Sequence, residues 1–128
     1  MDGSHHPGFA EAPATGFLAP NQTLLAPDGL LAEGARFRVR SLRLQPGETI
    51  ALQSHLHRAE HWVVVEGTAE VTLDRRARLV GEGGAVHIPV GQPHRLGNPG
   101  RLPVVLITVQ TGGYLGEDDV ILHDDPVA

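Results

Sequence analysis

The chain has 128 residues, a formal net charge of -5 and no cysteine. This length predicts a single domain, the acidic balance argues against nucleic acid or an anionic membrane as the main partner, and the lack of cysteine excludes disulfides and thiolate metal sites. The sequence also has no basic leader followed by an apolar segment and no apolar run of about 20 residues. We therefore expect a cytoplasmic protein with no nucleic-acid partner and no membrane partner.

The amino-terminal part of the chain divides into two segments. Residues 1–20 are rich in Gly, Pro and Ala and show no periodicity, which predicts an irregular arm, and residues 21–128 then form the folded domain. Between Asn21 and Ala35, four leucines surround the turn signature Pro27-Asp28-Gly29. This pattern favours a short strand added to a sheet edge, and exchange of such a strand with a neighbouring copy would give a homodimer.

The rest of the chain consists of short segments with strand periodicity. In residues 36–44, Phe37 and Val39 alternate with Arg38 and Arg40. Residues 102–110 are rich in β-branched side chains, which predicts a strand covered on both faces. The remaining strands are predicted at 49–55, 60–66, 68–73, 77–80, 85–88, 94–96 and 120–122. Many short strands joined by turns, in a chain with 16 glycines and 10 prolines, indicate an all-β barrel.

Three side chains on two adjacent strands form a candidate metal site. Gln53 and His55 are two residues apart, so they leave the same face of their strand, together with Thr49 and Ala51. Glu60 follows a tight corner and lies on the returning strand. An amide oxygen, an imidazole and a carboxylate suit one divalent ion such as Zn, Mn, Co, Ni or Fe.

A second block, residues 83–98, supplies the remaining candidate ligand. Its Pro89, Gly91 and Pro93 predict a turn that delivers His94 at the start of another strand. The two blocks resemble the cupin motifs G-x5-HxH-x4-E-x6-G and G-x5-PxG-x2-H-x3-N. Every fixed position is met except one, where Gln53 replaces the first His. This resemblance implies a single small β-barrel of the double-stranded jelly-roll type, with the metal ion held inside by Gln53, His55, Glu60 and His94.

The stretches LQSHLHRAEHWVVVEGTA and GGYLGEDD indicate a particular subgroup of cupins. They are similar to the C-terminal cupin domain of type II mannose-6-phosphate isomerases, in which Gln stands where other cupins have the first His. Thr108 differs, because an acidic residue is expected at that position. The resemblance implies a metal-dependent aldose-ketose isomerase that interconverts mannose 6-phosphate and fructose 6-phosphate, with a small sugar phosphate as its partner.

Four further residues are candidates for catalysis and substrate binding. His57 and His61 are candidates for the catalytic base, because a neutral imidazole is the usual proton acceptor near pH 7. His57 shares the parity of His55, whereas alternation sends His61 to the face opposite Glu60, which favours a structural role. Arg58 and Arg95 each lie near a candidate ligand and are predicted to bind the phosphate group, or else to pair with acidic residues at the barrel end.

Two other functions remain open at this stage. Cupins that bind iron can activate dioxygen, so a metal-dependent dioxygenase is one alternative, and a non-catalytic sugar or nucleotide-sugar binding module is the other. The acidic triplet Glu117-Asp118-Asp119 is interpreted as a loop lying beside basic residues of the same domain.

Overall fold

The computed structural model describes residues 29–124, so the arm predicted at residues 1–20, the segment 21–28 and residues 125–128 lie outside the described range. The described residues contain ten strands. They are β1 (Leu30–Glu33), β2 (Phe37–Leu44), β3 (Thr49–Ser54), β4 (Arg58–Glu66), β5 (Ala69–Leu73), β6 (Arg76–Val80), β7 (Ala85–Ile88), β8 (His94–Gly97), β9 (Val104–Gly112) and β10 (Ile121–Leu122). Among these residues, none forms a helix with the length and apolar character needed to cross a membrane.

The strands form two antiparallel five-stranded sheets. The first has the order β1-β2-β9-β4-β7 and the second has the order β10-β3-β8-β5-β6. Apart from the pairs β1-β2 and β5-β6, strands that neighbour each other in a sheet are not consecutive in the chain. Phe37 of β2, for example, pairs with Thr111 of β9. This winding of two packed sheets confirms the predicted all-β jelly roll.

The inner faces of both sheets supply one apolar core. Its members are buried aliphatic side chains and one Trp: Leu42, Leu44, Ile50, Trp62, Val64, Ala69, Val71, Val80, Val86, Ile88, Leu96, Val104 and Leu106. Burying these side chains is the main favourable contribution to folding, at about 25 cal/mol per Å² of apolar surface. The interior also contains a set of buried polar side chains, which contact this core at Trp62.

The inner face of β2 changes from polar to apolar along its length. Arg40 is only 2% exposed, whereas Phe37 is 41% exposed. The predicted alternation is present, and its arginine-bearing face is the one that turns inward. Arg38 is half-buried, and Leu42 and Leu44 continue the same face into the apolar core.

Two strand predictions need correction. A bulge between Ile50 and Gln53 shifts the parity of β3, so Ile50 joins the core and Thr49 does not share the face of Gln53 as predicted.

In β9, only the face bearing Leu106 and Thr108 is fully buried, and the opposite face is half-buried. Coverage of β9 on both faces is therefore incomplete within the described residues. β9 also begins at Val104, because Pro103 has no N–H to donate to a neighbouring strand.

Fixed residues of the two motifs hold the strand connections. Gly67 has a φ of +83°, and a Cβ there would lie 2.6 Å from the carbonyl oxygen of Pro103. Asn98 is buried and donates to the carbonyl oxygens of Leu44 and Leu102 at 3.0 and 2.8 Å. The Gly91 N–H donates to the carbonyl oxygen of His55 at 2.7 Å, which ties the second motif to the first. These contacts bring the two predicted halves of the site together.

Candidate metal centre

The four predicted ligands are among the buried polar residues of the interior. Gln53, His55, Glu60 and His94 are each at most 4% exposed. Gln53 pairs with His94 across β3 and β8, and the rings of His55 and His94 have centroids 5.1 Å apart. Glu60 Oε2 lies 3.3 Å from His55 Nε2. The barrel thus collects all four side chains from β3, the turn after it, β4 and β8.

Both imidazoles of the set are oriented by backbone carbonyl groups. His55 Nδ1 lies 2.7 Å from the carbonyl oxygen of Asp119, and His94 Nδ1 lies 2.8 Å from that of Gln92. A carbonyl oxygen only accepts, so each Nδ1 carries the hydrogen and each Nε2 keeps its lone pair. Histidines that bind metals are commonly oriented by the same kind of contact.

The surroundings keep both histidines neutral. Burial lowers the pKa of His55, and the nearby Arg58 guanidinium lowers it further against the opposing effect of Glu60. Burial also lowers the pKa of His94, although the carbonyl group of Gln92 and the carboxylate of Glu60 oppose the change. Neutral imidazole is the form that binds a metal ion.

Arg58 lies inside this cluster, whereas the sequence predicted that it would bind a phosphate group or pair with acidic residues at the barrel end. Its side chain is 4% exposed, and its Nε donates to Glu60 Oε2 at 2.9 Å. Its Nη2 lies 3.3 Å from His55 Nε2, and Trp62 Nε1 donates to the other Glu60 oxygen at 2.8 Å. In this arrangement, no group of three or more His, Cys, Asp or Glu side chains within residues 29–124 is spaced to hold a metal ion.

The donor set nevertheless has the chemistry that a divalent cation requires. His55 Nε2 and Glu60 Oε2 are both acceptors only 3.3 Å apart, and the Arg58 guanidinium lies against both of them. Gln53 Oε1 and His94 Nε2 are buried acceptors with no hydrogen-bond partner among the described residues. A metal ion would satisfy all four groups at once, with Arg58 displaced from two of them.

His57 lies outside the cluster and is held by Asp119. Its side chain is 57% exposed, and its Nδ1 is 3.2 Å from Asp119 Oδ1. The same carboxylate accepts the backbone N–H groups of Leu56 and His57, both at 2.9 Å. Burial alone would raise the pKa of Asp119, but these hydrogen bonds and the His57 ring outweigh burial and hold that pKa below its usual value.

Two more of the predicted site residues, besides His57, lie outside the buried cluster. His61 lies on the exposed face of β4 and packs against His87 of β7, with ring centroids 4.4 Å apart. Arg95 falls between two buried residues of β8, His94 and Leu96, so alternation directs it to the opposite face of that strand. Each of these residues is adjacent in sequence to a predicted ligand, but the alternation of the strand directs its side chain to the opposite face.

Several polar residues near the site were not identified as site residues from the sequence. Asp119 was grouped with an acidic loop, Gln110 was included in a strand rich in β-branched side chains, and Thr108 was noted only as a departure from the family pattern. Both β9 residues are at most 1% exposed. The sequence did contain a signal for these two residues. Thr108 and Gln110 are polar and follow Leu106 at every second position, so they lie on the same inward face of β9 as Leu106.

The two-sheet winding, the motif glycines and the buried Gln-His-Glu-His set define a cupin. The chain matches the family described as "Mannose-6-phosphate isomerase C-terminal" over residues 27–125, and it belongs to that family. The xanthan biosynthesis protein XanB of Xanthomonas campestris pv. campestris is 53% identical over 92 residues, which is 72% of this chain and 20% of XanB. The chain thus spans about one fifth of the length of this relative.

Solved structures support the fold. A double-stranded β-helix protein from Klebsiella pneumoniae superposes with a TM-score of 0.69 at 22% identity, covering 84% of each chain. A cupin described as a sugar phosphate isomerase, from Silicibacter pomeroyi, gives a TM-score of 0.56 at 25% identity over 59% of this chain and 50% of that one. The first of these likenesses concerns the fold alone.

Proposed function

We propose that this protein is a metal-dependent isomerase that interconverts mannose 6-phosphate and fructose 6-phosphate. The observation that carries the proposal is the collection of Gln53 Oε1, Glu60 and two Nε2 lone pairs in one buried cluster. Membership of the mannose-6-phosphate isomerase C-terminal family supports the substrate. The description of the Silicibacter pomeroyi cupin as a sugar phosphate isomerase supports the reaction class.

Gln53, His55, Glu60 and His94 would hold the metal ion. A divalent ion supplies Lewis acidity to the C1 and C2 oxygens of the sugar, where negative charge develops during isomerisation. The carbonyl groups of Asp119 and Gln92 fix the tautomers of the two histidines in advance. Trp62 donates to Glu60 and so holds its carboxylate in place.

His57 is the residue that would move the proton between C1 and C2. Asp119 Oδ1 accepts from His57 Nδ1, which leaves the lone pair on Nε2 to act as the base. The exposed position of His57 keeps it accessible to a substrate entering from solvent. Such a base contributes about 10²- to 10⁴-fold to the rate.

Turnover tests the proposal directly. Protein loaded with Mn, Co, Ni or Zn should convert mannose 6-phosphate, and in heavy water deuterium should enter at C1 of the fructose 6-phosphate formed. His57→Ala should keep the metal and lose about 10²- to 10⁴-fold in rate. His61→Ala tests the other histidine candidate, and its outward placement predicts full activity. Absence of product from folded, metal-loaded protein would rule out this reaction.

A second candidate function is a non-catalytic sugar-phosphate binding module. The observation that favours it is Arg58, whose guanidinium contacts both His55 and Glu60 and so provides a positive charge inside the cluster. Chelator-treated protein would then bind mannose 6-phosphate as well as metal-loaded protein does, with no turnover in either state.

A further inference from the structure

The inner face of the first sheet carries a polar surface beside the candidate metal centre. Strand register places its residues in two rows across β2, β9 and β4. One row is Arg40, Thr108 and Trp62, and the next row is Arg38, Gln110 and Glu60. Alternation sends all six side chains to the same face. We call Arg38, Arg40, Thr108 and Gln110 the inner polar surface.

Two members of this surface have unmet hydrogen-bonding capacity. Thr108 Oγ1 and Gln110 Oε1 are buried, and neither has a hydrogen-bond partner within the described part of the chain. Burying a polar atom without a partner costs free energy, so a well-packed core position would favour an apolar side chain. A hydroxyl and an amide at these positions are suited to binding sugar hydroxyl groups.

The two arginines meet one carboxylate from the segment after β9. Glu117 Oε2 lies 3.2 Å from Arg38 Nη1 and also accepts from Arg40 Nη2. The side chain of Arg40 is 3% exposed, whereas that of Glu117 is 48% exposed. Two guanidinium groups around one displaceable carboxylate form a suitable binding site for a phosphate dianion. The dianion carries more charge and more acceptor oxygens than the carboxylate that it would replace.

We propose that Arg38 and Arg40 bind the phosphate group of the substrate, displacing Glu117, while Thr108 and Gln110 bind the hydroxyl groups between the phosphate and the metal centre. This inference rests on the proposed function for its substrate class, a phosphorylated sugar. It assigns the phosphate to two arginines on β2 in place of Arg58 and Arg95. Glu117 then acts as an internal competitor that keeps the anion site closed to weaker ligands.

Calorimetric titration of the metal-loaded protein with mannose 6-phosphate, mannose and inorganic phosphate tests the arginines. Arg38→Met should weaken binding of mannose 6-phosphate by about tenfold or more. Its matched control is Arg43→Met, which removes the same charge from an exposed position on the same strand and should leave the affinity unchanged. Glu117→Gln should strengthen the binding of both phosphate compounds and leave the binding of mannose unaltered.

Thr108→Val separates a ligand role from a structural one. Replacing an unpartnered hydroxyl by a methyl group should raise the melting temperature. The same change should weaken mannose 6-phosphate binding by about 3- to 10-fold, because one hydrogen bond to the ligand is lost. A Thr108 that serves only the fold would give no loss of affinity.

The outcomes distinguish this inference from the proposed function. Tight binding of mannose 6-phosphate with the predicted variant effects but without turnover would overturn the isomerase and leave the phosphate site standing. Turnover in the wild type, with Arg38→Met and Glu117→Gln indistinguishable from Arg43→Met, would overturn the phosphate site alone. Binding of mannose as tight as that of mannose 6-phosphate would also overturn it.

Discussion

At the scale of single residues, the most consequential contact is between Arg58 and Glu60. Both side chains are at most 4% exposed and 2.9 Å apart. Removing one member of such a pair leaves a buried, uncompensated charge, which costs about 3–5 kcal/mol. The guanidinium therefore stabilises the metal-free protein while it lies against two candidate ligands.

Arg58→Met should lower the free energy of unfolding of metal-free protein by about 3–5 kcal/mol. Added Zn or Mn should restore more stability to this variant than it adds to the wild type, because no guanidinium competes for His55 and Glu60. Urea denaturation with and without metal measures both effects. Arg43→Met, on an exposed position, should change stability by no more than about 0.5 kcal/mol. Equal gains from metal in Arg58→Met and the wild type would contradict the proposed competition.

Asp119 gives a second prediction at this scale. Its carboxylate accepts two backbone N–H groups and the His57 ring, and an amide at this position has only one accepting oxygen. Asp119→Asn should therefore cost about 1–3 kcal/mol, because a partly buried N–H loses its acceptor. Asp118→Asn is the matched control, since Asp118 is exposed and accepts from the side-chain hydroxyl of Tyr114 rather than from backbone N–H groups. Equal urea midpoints for the two variants would show that Asp119 does not hold this turn.

At the scale of strands, the close approach of β4 and β9 depends on Gly112. A Cβ at Gly112 would lie 2.2 Å from the His57 carbonyl oxygen and 3.1 Å from Arg58 Cα. Gly112→Ala must therefore separate the two strands where β4 begins, and it should cost about 1–3 kcal/mol. Gly113→Ala is the neighbouring control, because the nearest atom there, at 3.4 Å, is the end of the Arg36 side chain. Thermal unfolding of both variants measures the difference, and equal melting temperatures would contradict the close packing.

Strand patterns in the sequence predicted the elements better than the orientation of each strand. The motif spacing predicted that Gln53, His55, Glu60 and His94 lie close together, because fixed turns between short strands leave little freedom. Periodicity could not reveal the bulge after Ile50, which depends on pairing with β8. Nor could it assign the inner face of β2, where the buried side is the arginine-bearing one because its partners come from β9 and from the segment containing Glu117.

At the scale of the whole molecule, acid should destabilise the metal-free protein. His55 and His94 have lowered pKa values in the folded state, whereas an unfolded histidine has a pKa near 6.5. As the pH falls below about 6.5, the unfolded chain binds protons that the folded chain does not, so stability decreases until the lowered folded pKa values are reached. Protons also compete with metal for both imidazoles, so metal-loaded protein should lose stability more steeply.

Urea midpoints between pH 7.5 and pH 5 measure this dependence. Metal-free wild type should show lower midpoints at pH 5, and His94→Gln should reduce the decrease, because one buried titrating group is gone. His87→Gln, on the exposed outer face, is the control and should keep the wild-type pH dependence. A pH-independent midpoint in the wild type would contradict the neutral, buried state of these histidines.

The pairing of β2 with β9 has a consequence for the rate of folding. Phe37 meets Thr111, and Gln53 meets His94, only after long loops of chain have closed, so assembly should be slow for a protein of this size. We expect the candidate ligands to converge late in that process, since they come from strands on both sides of these closures. A bound cation should therefore slow unfolding while leaving the refolding rate nearly unchanged, and stopped-flow measurements in the presence of Zn or chelator would show on which of the two rates the metal acts.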